Sequence, residues 1–350
     1  MLGGRKSLRR KYKRLKLIEL CDVQALENVI DLFDKDYNKE IMYLKDNTEV
    51  SAIDRVLMNK WRKRDGEFVI REFNRNDEVF RYLKANAFIE MQAPEKDAII
   101  DGKILPRNYR VKGYEYPVVF FENNNKVYCV LVCAEYMDSN IKSHLMGTGR
   151  SRSELSEAWG RINDIEIENY MLSSNLFYWL TKMDGKELNF AKEKLTINSI
   201  KALANSSLRG DTNYSSEGED LLNEVVIKTT LGSESKVDSV GMTIEQDDAK
   251  LEIMLDKDGT CGVDNQSSVL VGEGGKIELI DDYMDEIIVR IYCCIIPTFR
   301  KLYNDEVQDG SWTESELQRY KKALVLDVIN DLCYDNEISK NEILGLDVFK

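Results

Sequence analysis

The most constraining feature of this sequence is a pair of near-continuous apolar runs separated by three asparagines. Residues 117–122 (PVVFFE) and 126–136 (KVYCVLVCAEY) flank Asn123, Asn124 and Asn125. Asparagine tolerates the positive φ angles of tight turns, so this pattern predicts a β-hairpin. Strands that are apolar on both sides are typical of a sheet covered on both faces. The rest of the chain must therefore supply that cover.

Apolar residues at helical spacing predict the covering helices, and alternating residues predict further strands. The predicted helices span 23–34, 50–62, 77–86, 153–161, 168–182, 277–303 (interrupted at Pro297) and 313–333, the last with a capping box at 313–316. The other predicted strands lie near 68–72 and over 223–231, 238–246 and 250–256. Turns at Asp247-Asp248 and Asp258-Gly259 join the last of these into an antiparallel meander.

These elements predict an α+β fold, with an N-terminal mixed helix/sheet domain and a C-terminal antiparallel meander packed by long helices. A chain of 350 residues that is 43% hydrophobic is long and apolar enough for two such cores. The predicted organisation is a basic arm over 1–16, an N-terminal domain over 17–204, and a C-terminal domain over 223–350. Residues 205–222, rich in Ser, Gly, Asn and Asp, are predicted to link the two domains or form a mobile loop.

Charge is distributed very unevenly along the chain. The formal net charge is −13, yet residues 1–16 hold eight basic residues and no acidic one. The remainder therefore has 41 basic against 62 acidic residues, a balance of −21. Such a cationic arm on an anionic body is typical of proteins that contact nucleic acid or another anionic surface. Clustered lysines and arginines bind a phosphate backbone by displacing its counterions.

Two inner segments extend this prediction. Residues 102–114 (GKILPRNYRVKGY) combine four cations with tyrosines and no acid, as surfaces that stack single-stranded bases do. Residues 139–153 hold cations beside Gly147-Thr148-Gly149, whose backbone N–H groups suit a phosphate. The candidate nucleic-acid-binding residues are Arg5, Lys6, Arg9, Arg10, Lys11, Lys13, Arg14, Arg107, Tyr109, Arg110, Lys112, Tyr114, Arg150 and Arg152.

Simpler interpretations of the same residues stay open. The arm is equally consistent with a solubilising tail, or with a segment that docks on the acidic body of its own chain. Its alternation of cations with Leu8, Tyr12 and Leu15 also fits a basic amphipathic helix. For the inner segments, an ordinary solvated loop is the favoured interpretation.

Several catalytic classes are excluded by missing residues. Gly274-Gly275-Lys276 lacks the Ser or Thr and the first glycine of a phosphate-binding P-loop. The chain has one histidine, His144, so it cannot build a site that needs two imidazoles. The sequence lacks the motifs of a serine nucleophile elbow, a kinase catalytic loop and a restriction-type nuclease. We expect no cofactor and no metal site, and favour a protein that is not an enzyme.

The acidic C-terminal half supports two alternative functions. Residues 241–290 contain 13 acidic and four basic residues, which suits a protein–protein interaction or assembly component with a basic partner or a second copy. Glu278, Asp282 and Asp285 would share one face of the helix predicted over 277–303. That face would allow a Mg²⁺-dependent enzyme. The competing interpretation of this face is simple solvation.

Compartment and source are indicated only by composition. Seven cysteines without framework spacing suit a reducing cytoplasm, and no apolar stretch is long enough to span a membrane. The Asn-, Lys-, Ile- and Tyr-rich composition is typical of low-GC bacterial genomes and their mobile elements. It favours an accessory role such as antiviral defence.

Overall fold

The computed structural model describes residues 12–33, 37–75, 77–149, 153–190, 193–207, 213–233, 235–246, 248–272 and 276–344. Within these ranges the chain forms two compact units. The first unit comprises Lys13–Asn169 and Tyr283–Cys293. The second comprises Tyr12, Tyr170–Asp282 and the described residues from Cys294 onward.

The first unit is an antiparallel sheet with short helices between its strands. Its strands are β1 (Lys13–Leu20), β2 (Tyr37–Glu40), β3 (Val56–Lys63), β4 (Ile70–Arg75), β5 (Glu78–Gln92), β6 (Ile99–Ile100), β7 (Lys103–Ile104), β8 (Val111–Asn123), β9 (Lys126–Val132) and β10 (Ile162–Asn163). Its helices up to this point are α1 (Leu26–Asp31), α2 (Glu95–Ala98), α3 (Arg107–Arg110), α4 (Glu135–Leu145) and α5 (Glu154–Trp159).

The order of neighbouring strands is β1–β9–β8–β5–β3–β2, with β10 beside β1 and β4 beside β5. The predicted hairpin is confirmed as β8 and β9. Asn124 and Asn125 adopt φ of 50° and 58°, as a two-residue hairpin turn requires. The strand β9 ends at Val132 rather than 136, because α4 begins at Glu135.

Both faces of this hairpin are covered, as its apolar character predicts. Side chains of α1, α4 and α5 pack on one face in a core with an aromatic centre: Phe33, Trp61, Phe120 and Trp159. On the other face Phe121 stacks on Tyr292 with ring centroids 5.9 Å apart. Tyr292 lies in Tyr283–Cys293, which we call the return segment of this unit.

The second unit begins with a short 3₁₀ turn and is also antiparallel. Its elements are α6 (Ser174–Lys182), β11 (Lys186–Phe190), β12 (Glu193–Ser207), β13 (Asn213–Glu217), α7 (Val225–Gly232), β14 (Ser235–Gln246), β15 (Ala249–Asp256), β16 (Cys261–Val263), β17 (Val269–Val271) and β18 (Ile277–Leu279). The strand order is β11–β12–β14–β15–β16, with β13 on β12, and β17 between β15 and β18.

The chain then supplies the return segment of the first unit and closes with helices of the second. Helix α8 (Met284–Val289) leads into a π-helical segment over Arg290–Ile295. Helices α9 (Ile296–Gln308), α10 (Glu314–Asp335) and α11 (Lys340–Leu344) follow. The predicted interruption near Pro297 is confirmed as this π-helical turn, since proline removes one helical hydrogen bond. The predicted start of α10 is also confirmed, because the Thr313 hydroxyl accepts from the backbone N–H of Glu316.

Three predicted elements are of the wrong type, and the helix predicted over 277–303 begins only at Met284, since Ile277–Leu279 form β18. Residues predicted as helices over 50–62 and 77–86 form β3 and part of β5, where burial alternates at period two instead of helical spacing. Residues 223–231, predicted as a strand, form α7, with Ile227 and Leu231 buried one helical turn apart. The α+β class is correct.

The chain also divides at a different place from the prediction. The boundary between the two compact units lies between Asn169 and Tyr170, whereas residues 205–222 were predicted to link two domains or form a mobile loop. Within 205–222, Asn205–Ser207 belong to β12 and Asn213–Glu217 form β13, so these residues extend the second sheet. Residues 208–212 lie outside the described ranges. No helix in the part of the chain that the structure describes is long and apolar enough to cross a membrane.

The burial of β1 in the first core gives a stability prediction. Ile18 is fully buried in that core, so Ile18→Ala should lower the free energy of unfolding by about 2–5 kcal/mol through lost contacts and a residual cavity. Urea denaturation followed by circular dichroism measures this value. Ile165→Ala is the matched control, because Ile165 is 70% exposed and its loss should cost under about 0.5 kcal/mol. Equal effects would contradict the placement of β1.

Candidate nucleic-acid interface

The end of the predicted basic arm is part of the sheet. Lys13 and Arg14 lie in β1, where Leu15 and Leu17 are buried. The Arg14 guanidinium lies 2.9 Å from a carboxylate oxygen of Asp138 on α4. Lys16 is only 8% exposed and donates to the backbone carbonyl of Asp164 at 2.7 Å. The arm predicted over 1–16 therefore stops short of Lys13, while Arg5, Lys6, Arg9, Arg10 and Lys11 lie outside the described residues.

Two predicted phosphate contacts in 102–114 are structural instead. Arg110 is 3% exposed, and its guanidinium donates to the carbonyls of Leu105 at 2.8 Å and Asp54 at 3.0 Å. Arg107 donates to the carbonyl of Val56 at 2.9 Å and forms an ion pair with Glu90. These guanidinium groups are engaged by the backbone carbonyls of Asp54, Val56 and Leu105, which corrects the prediction that they contact phosphate.

The glycine-containing segment near 147 has a capping role. The backbone N–H groups of Met146 and Thr148 both donate to the Lys142 carbonyl at the end of α4. Gly147 has φ of 75°, and a Cβ there would lie 2.5 Å from the backbone nitrogen of Ser156 on α5. Glycine is therefore needed for close packing of α4 and α5. Arg150 and Arg152 lie outside the described residues.

The remaining predicted residues of 102–114 are exposed. Lys112 and Tyr114 point to the same side of β8, two residues apart, and Tyr114 is 40% exposed. Tyr116 follows on the same side and packs against the edge of the first core. Tyr109, on α3, is 66% exposed. We name Lys112, Tyr114, Tyr116 and Tyr136 the tyrosine patch, because Tyr136 on the first turn of α4 completes it.

The pKa of Tyr116 is affected by the other two tyrosines of this patch. Burial raises the pKa of the Tyr116 hydroxyl, and the side chains of Tyr136, Cys133 and Tyr114 raise it further. Tyr136 is 72% exposed, so its ring is accessible beside Tyr116. The patch therefore presents the exposed rings of Tyr114 and Tyr136, with Lys112 two residues before Tyr114 on the same side of β8.

The strand register brings the start of β1 to the same end of the sheet. Leu15 pairs with Val132 on β9, and Leu131, one residue earlier on β9, pairs with Val118 on β8. Going back along β1 from Leu15 therefore leads toward the row that contains Tyr116. The chain enters β1 at Lys13, directly after Tyr12, which belongs to the second unit and donates its hydroxyl to Glu252 there.

Gly113 separates Lys112 from Tyr114 and faces the other side of the sheet. A Cβ at Gly113 would lie 2.7 Å from the ring of Phe88, so only glycine fits. The Arg62 guanidinium covers that ring at 3.4 Å and pairs with Glu115 at 3.1 Å. The cation on this opposite side is thus engaged within the sheet, and the tyrosine patch is the more accessible aromatic surface.

The acidic helix predicted near 278–286 does not exist as one element. Glu278 lies in β18, Asp282 in the following turn, and Asp285 in α8, so the three carboxylates do not share a helix face. Asp285 is 4% exposed, forms an ion pair with Arg64, and lies 3.4 Å from the Lys84 ammonium. Among the described residues no group of three or more acidic, histidine or cysteine side chains is placed to hold a metal ion.

Sequence reasoning missed Tyr136. It counted residues 126–136 as one strand, so Tyr136 seemed to belong to the hairpin core. The available signal was Glu135 and Asp138, acidic residues that suit the first turn of a helix. No family model matches this chain, and no curated protein matches it in sequence.

The burial of Asp285 gives a prediction that separates structural from catalytic carboxylates. Asp285→Ala should lower the free energy of unfolding by about 3–5 kcal/mol, because Arg64 and Lys84 lose their buried counter-ion. Asp282→Ala, three residues earlier on an exposed turn, is the control and should change stability by under about 0.5 kcal/mol. Urea denaturation measures both. A stable Asp285→Ala variant would contradict a structural role.

Proposed function

We propose that this protein binds single-stranded nucleic acid, with bases stacking on the tyrosine patch and phosphates contacting Lys112. The observation that carries the proposal is the pairing of exposed Tyr114 and Tyr136 rings with an exposed lysine on one side of the sheet. Base–aromatic stacking needs no sequence-specific hydrogen bonds, because every base has a π-face. Lysine beside the rings would neutralise the backbone that connects stacked bases.

The cations of residues 1–11 would supply the rest of the electrostatic attraction. Five of these cations lie outside the described residues and are identified from the sequence: Arg5, Lys6, Arg9, Arg10 and Lys11. Their support is the basic composition of this segment, which holds no acidic residue. Arg107 and Arg110 have no part in this proposal.

The wider role that we propose is an accessory or regulatory one in the cytoplasm, such as bacterial antiviral defence. None of the seven cysteines, all of which lie in the described ranges, forms a disulfide, and burial raises the pKa of the Cys133 thiol to about 12. Unreactive thiols suit a reducing compartment. The bacterial and defence parts rest on composition alone. Nucleic acid recognised by stacking without catalytic residues suits a sensor or adaptor.

Removal of the stacking rings tests the patch. The double variant Tyr114→Ala/Tyr136→Ala should bind a fluorescein-labelled 20-nucleotide single strand at least about tenfold more weakly, since each stacked base contributes roughly 1–3 kcal/mol. Fluorescence anisotropy gives the Kd. The matched control is Tyr214→Ala/Tyr334→Ala, which removes two exposed rings from the second unit. Equal affinities of the two double variants would contradict the proposal.

Neutralisation of the segment before β1 tests the phosphate contacts. Changing Arg5, Lys6, Arg9, Arg10 and Lys11 to Gln should flatten the slope of log Kd against log salt by up to about 3.5, because each phosphate contact on a single strand contributes about 0.7. The folded sheet should be unaffected, since β1 starts at Lys13. An unchanged slope would remove these residues from the interface.

A further inference from the structure

One face of the second sheet carries a row of very small residues, and the side chain of Tyr12 lies over it. The strand register places Ala202 of β12, Gly241 of β14 and Gly262 of β16 in this row. A Cβ at Gly262 would lie 2.8 Å from the Tyr12 Cβ, and one at Gly241 would lie 3.4 Å from the Tyr12 hydroxyl oxygen. Tyr12 therefore extends from β16 to β14 in contact with the strands. We call this side of the sheet the Tyr12 face.

Carboxylates flank the tyrosine on this face. Glu217 of β13 continues the row, while Glu252 and Asp256 of β15 lie on either side of it. Glu252 accepts a hydrogen bond from the Tyr12 hydroxyl at 3.0 Å. Burial raises the pKa of that hydroxyl, and three nearby carboxylates raise it further: Glu252, Glu217 and Asp264. The Tyr12 face is therefore a site of negative potential.

The segment that precedes Tyr12 has the opposite charge. Residues 1–11 hold five basic residues and no acidic one, whereas residues 170–282 hold 21 acidic and 11 basic residues. Two of the carboxylates beside Tyr12, Glu252 and Asp264, are buried. A buried carboxylate is stabilised by a cation close to it, because it has lost the water that would otherwise solvate its charge. The charges of the face and of the segment are thus complementary.

The segment is also long enough to cross the face. Lys11 is covalently joined to a residue that lies on the face, so the segment starts beside these carboxylates. From Gly262 to Glu217 the row passes four strand spacings, a distance of about 19 Å. Eleven extended residues span up to about 36 Å. Every carboxylate on the face is therefore within reach of the five cations.

We propose that the Tyr12 face is the docking surface of residues 1–11, whose cations pair with its carboxylates. Nucleic acid then has to displace this segment, because a cation that is paired with the face cannot also neutralise a phosphate. The face and nucleic acid thus compete for the same five residues. The competition rests on the proposed function, whereas the docking lies within the second unit and does not depend on nucleic acid.

The first test is the rate at which trypsin cleaves within residues 1–11 of the full-length protein, followed by intact-mass spectrometry. Cleavage of a docked segment follows the fraction that is released. Glu217→Gln/Asp256→Asn removes two ion pairs, so cleavage should be about two- to thirtyfold faster than in the wild type. The rate is divided by that of cleavage elsewhere in the chain, because a misfolded variant would be cut faster everywhere.

The matched control for this test is Asp305→Asn/Asp327→Asn. It removes the same charge from exposed positions on α9 and α10 of the second unit, and residues 1–11 should be cleaved at the wild-type rate. Equal rates in the wild type and Glu217→Gln/Asp256→Asn would overturn the docking. Equal acceleration in the control would overturn it too, because the effect would then be one of net charge.

The second test measures the Kd of the same proteins for the labelled 20-nucleotide single strand. Glu217→Gln/Asp256→Asn should bind up to about thirtyfold more tightly than the wild type, and the control should bind like the wild type. The gain should disappear when the five cations of residues 1–11 are also changed to Gln. An unchanged Kd, or a gain that persists without these cations, would overturn the competition. If none of the proteins binds the strand, the proposed function fails, while the cleavage rates still decide the docking.

Discussion

The burial of strand β1 is the constraint on which the first unit depends. A strand that spells KRLKLIEL brings cationic side chains into the sheet together with its leucines. Partly buried cations need counter-ions or carbonyl acceptors, and Asp138 and Asp164 provide them. Those contacts tie β1 to α4 and to the segment after β10. The strand thereby fixes the position of the helix that covers the core.

The same packing determines which aromatic rings reach the surface. The side of β8 that carries Phe120 and Val118 inside the core carries Tyr116, Tyr114 and Lys112 further along. Along β8, the buried residues of the core are therefore followed directly by exposed aromatic residues. Tyr136 reaches it because α4 starts immediately after β9. The candidate site is thus a continuation of the core rather than a separate loop structure, and its rings are held by the sheet.

Local signals in the sequence predicted the elements whose patterns have one interpretation, namely the asparagine hairpin, the capping box at Thr313 and the interruption near Pro297. Prediction failed where apolar spacing was ambiguous. In β3, the spacing of Val56, Leu57 and Trp61 fits one face of a helix. The segment is a strand because it pairs with β5, and this pairing is not visible in the local sequence. The candidate site was half predicted: Lys112 and Tyr114 were found, whereas the burial of Arg110 depends in part on the Asp54 carbonyl, 56 residues earlier, which no local pattern reveals.

The central claim is that nucleic acid lies across the tyrosine patch, and photo-cross-linking locates it most directly. The full-length protein would be bound to an oligonucleotide that carries 4-thio-substituted pyrimidines, irradiated, and digested for mass spectrometry. The account predicts cross-linked peptides that contain residues 112–116 and Tyr136 of the first unit. Cross-links confined to the second unit, or no cross-links at saturating oligonucleotide, would contradict it.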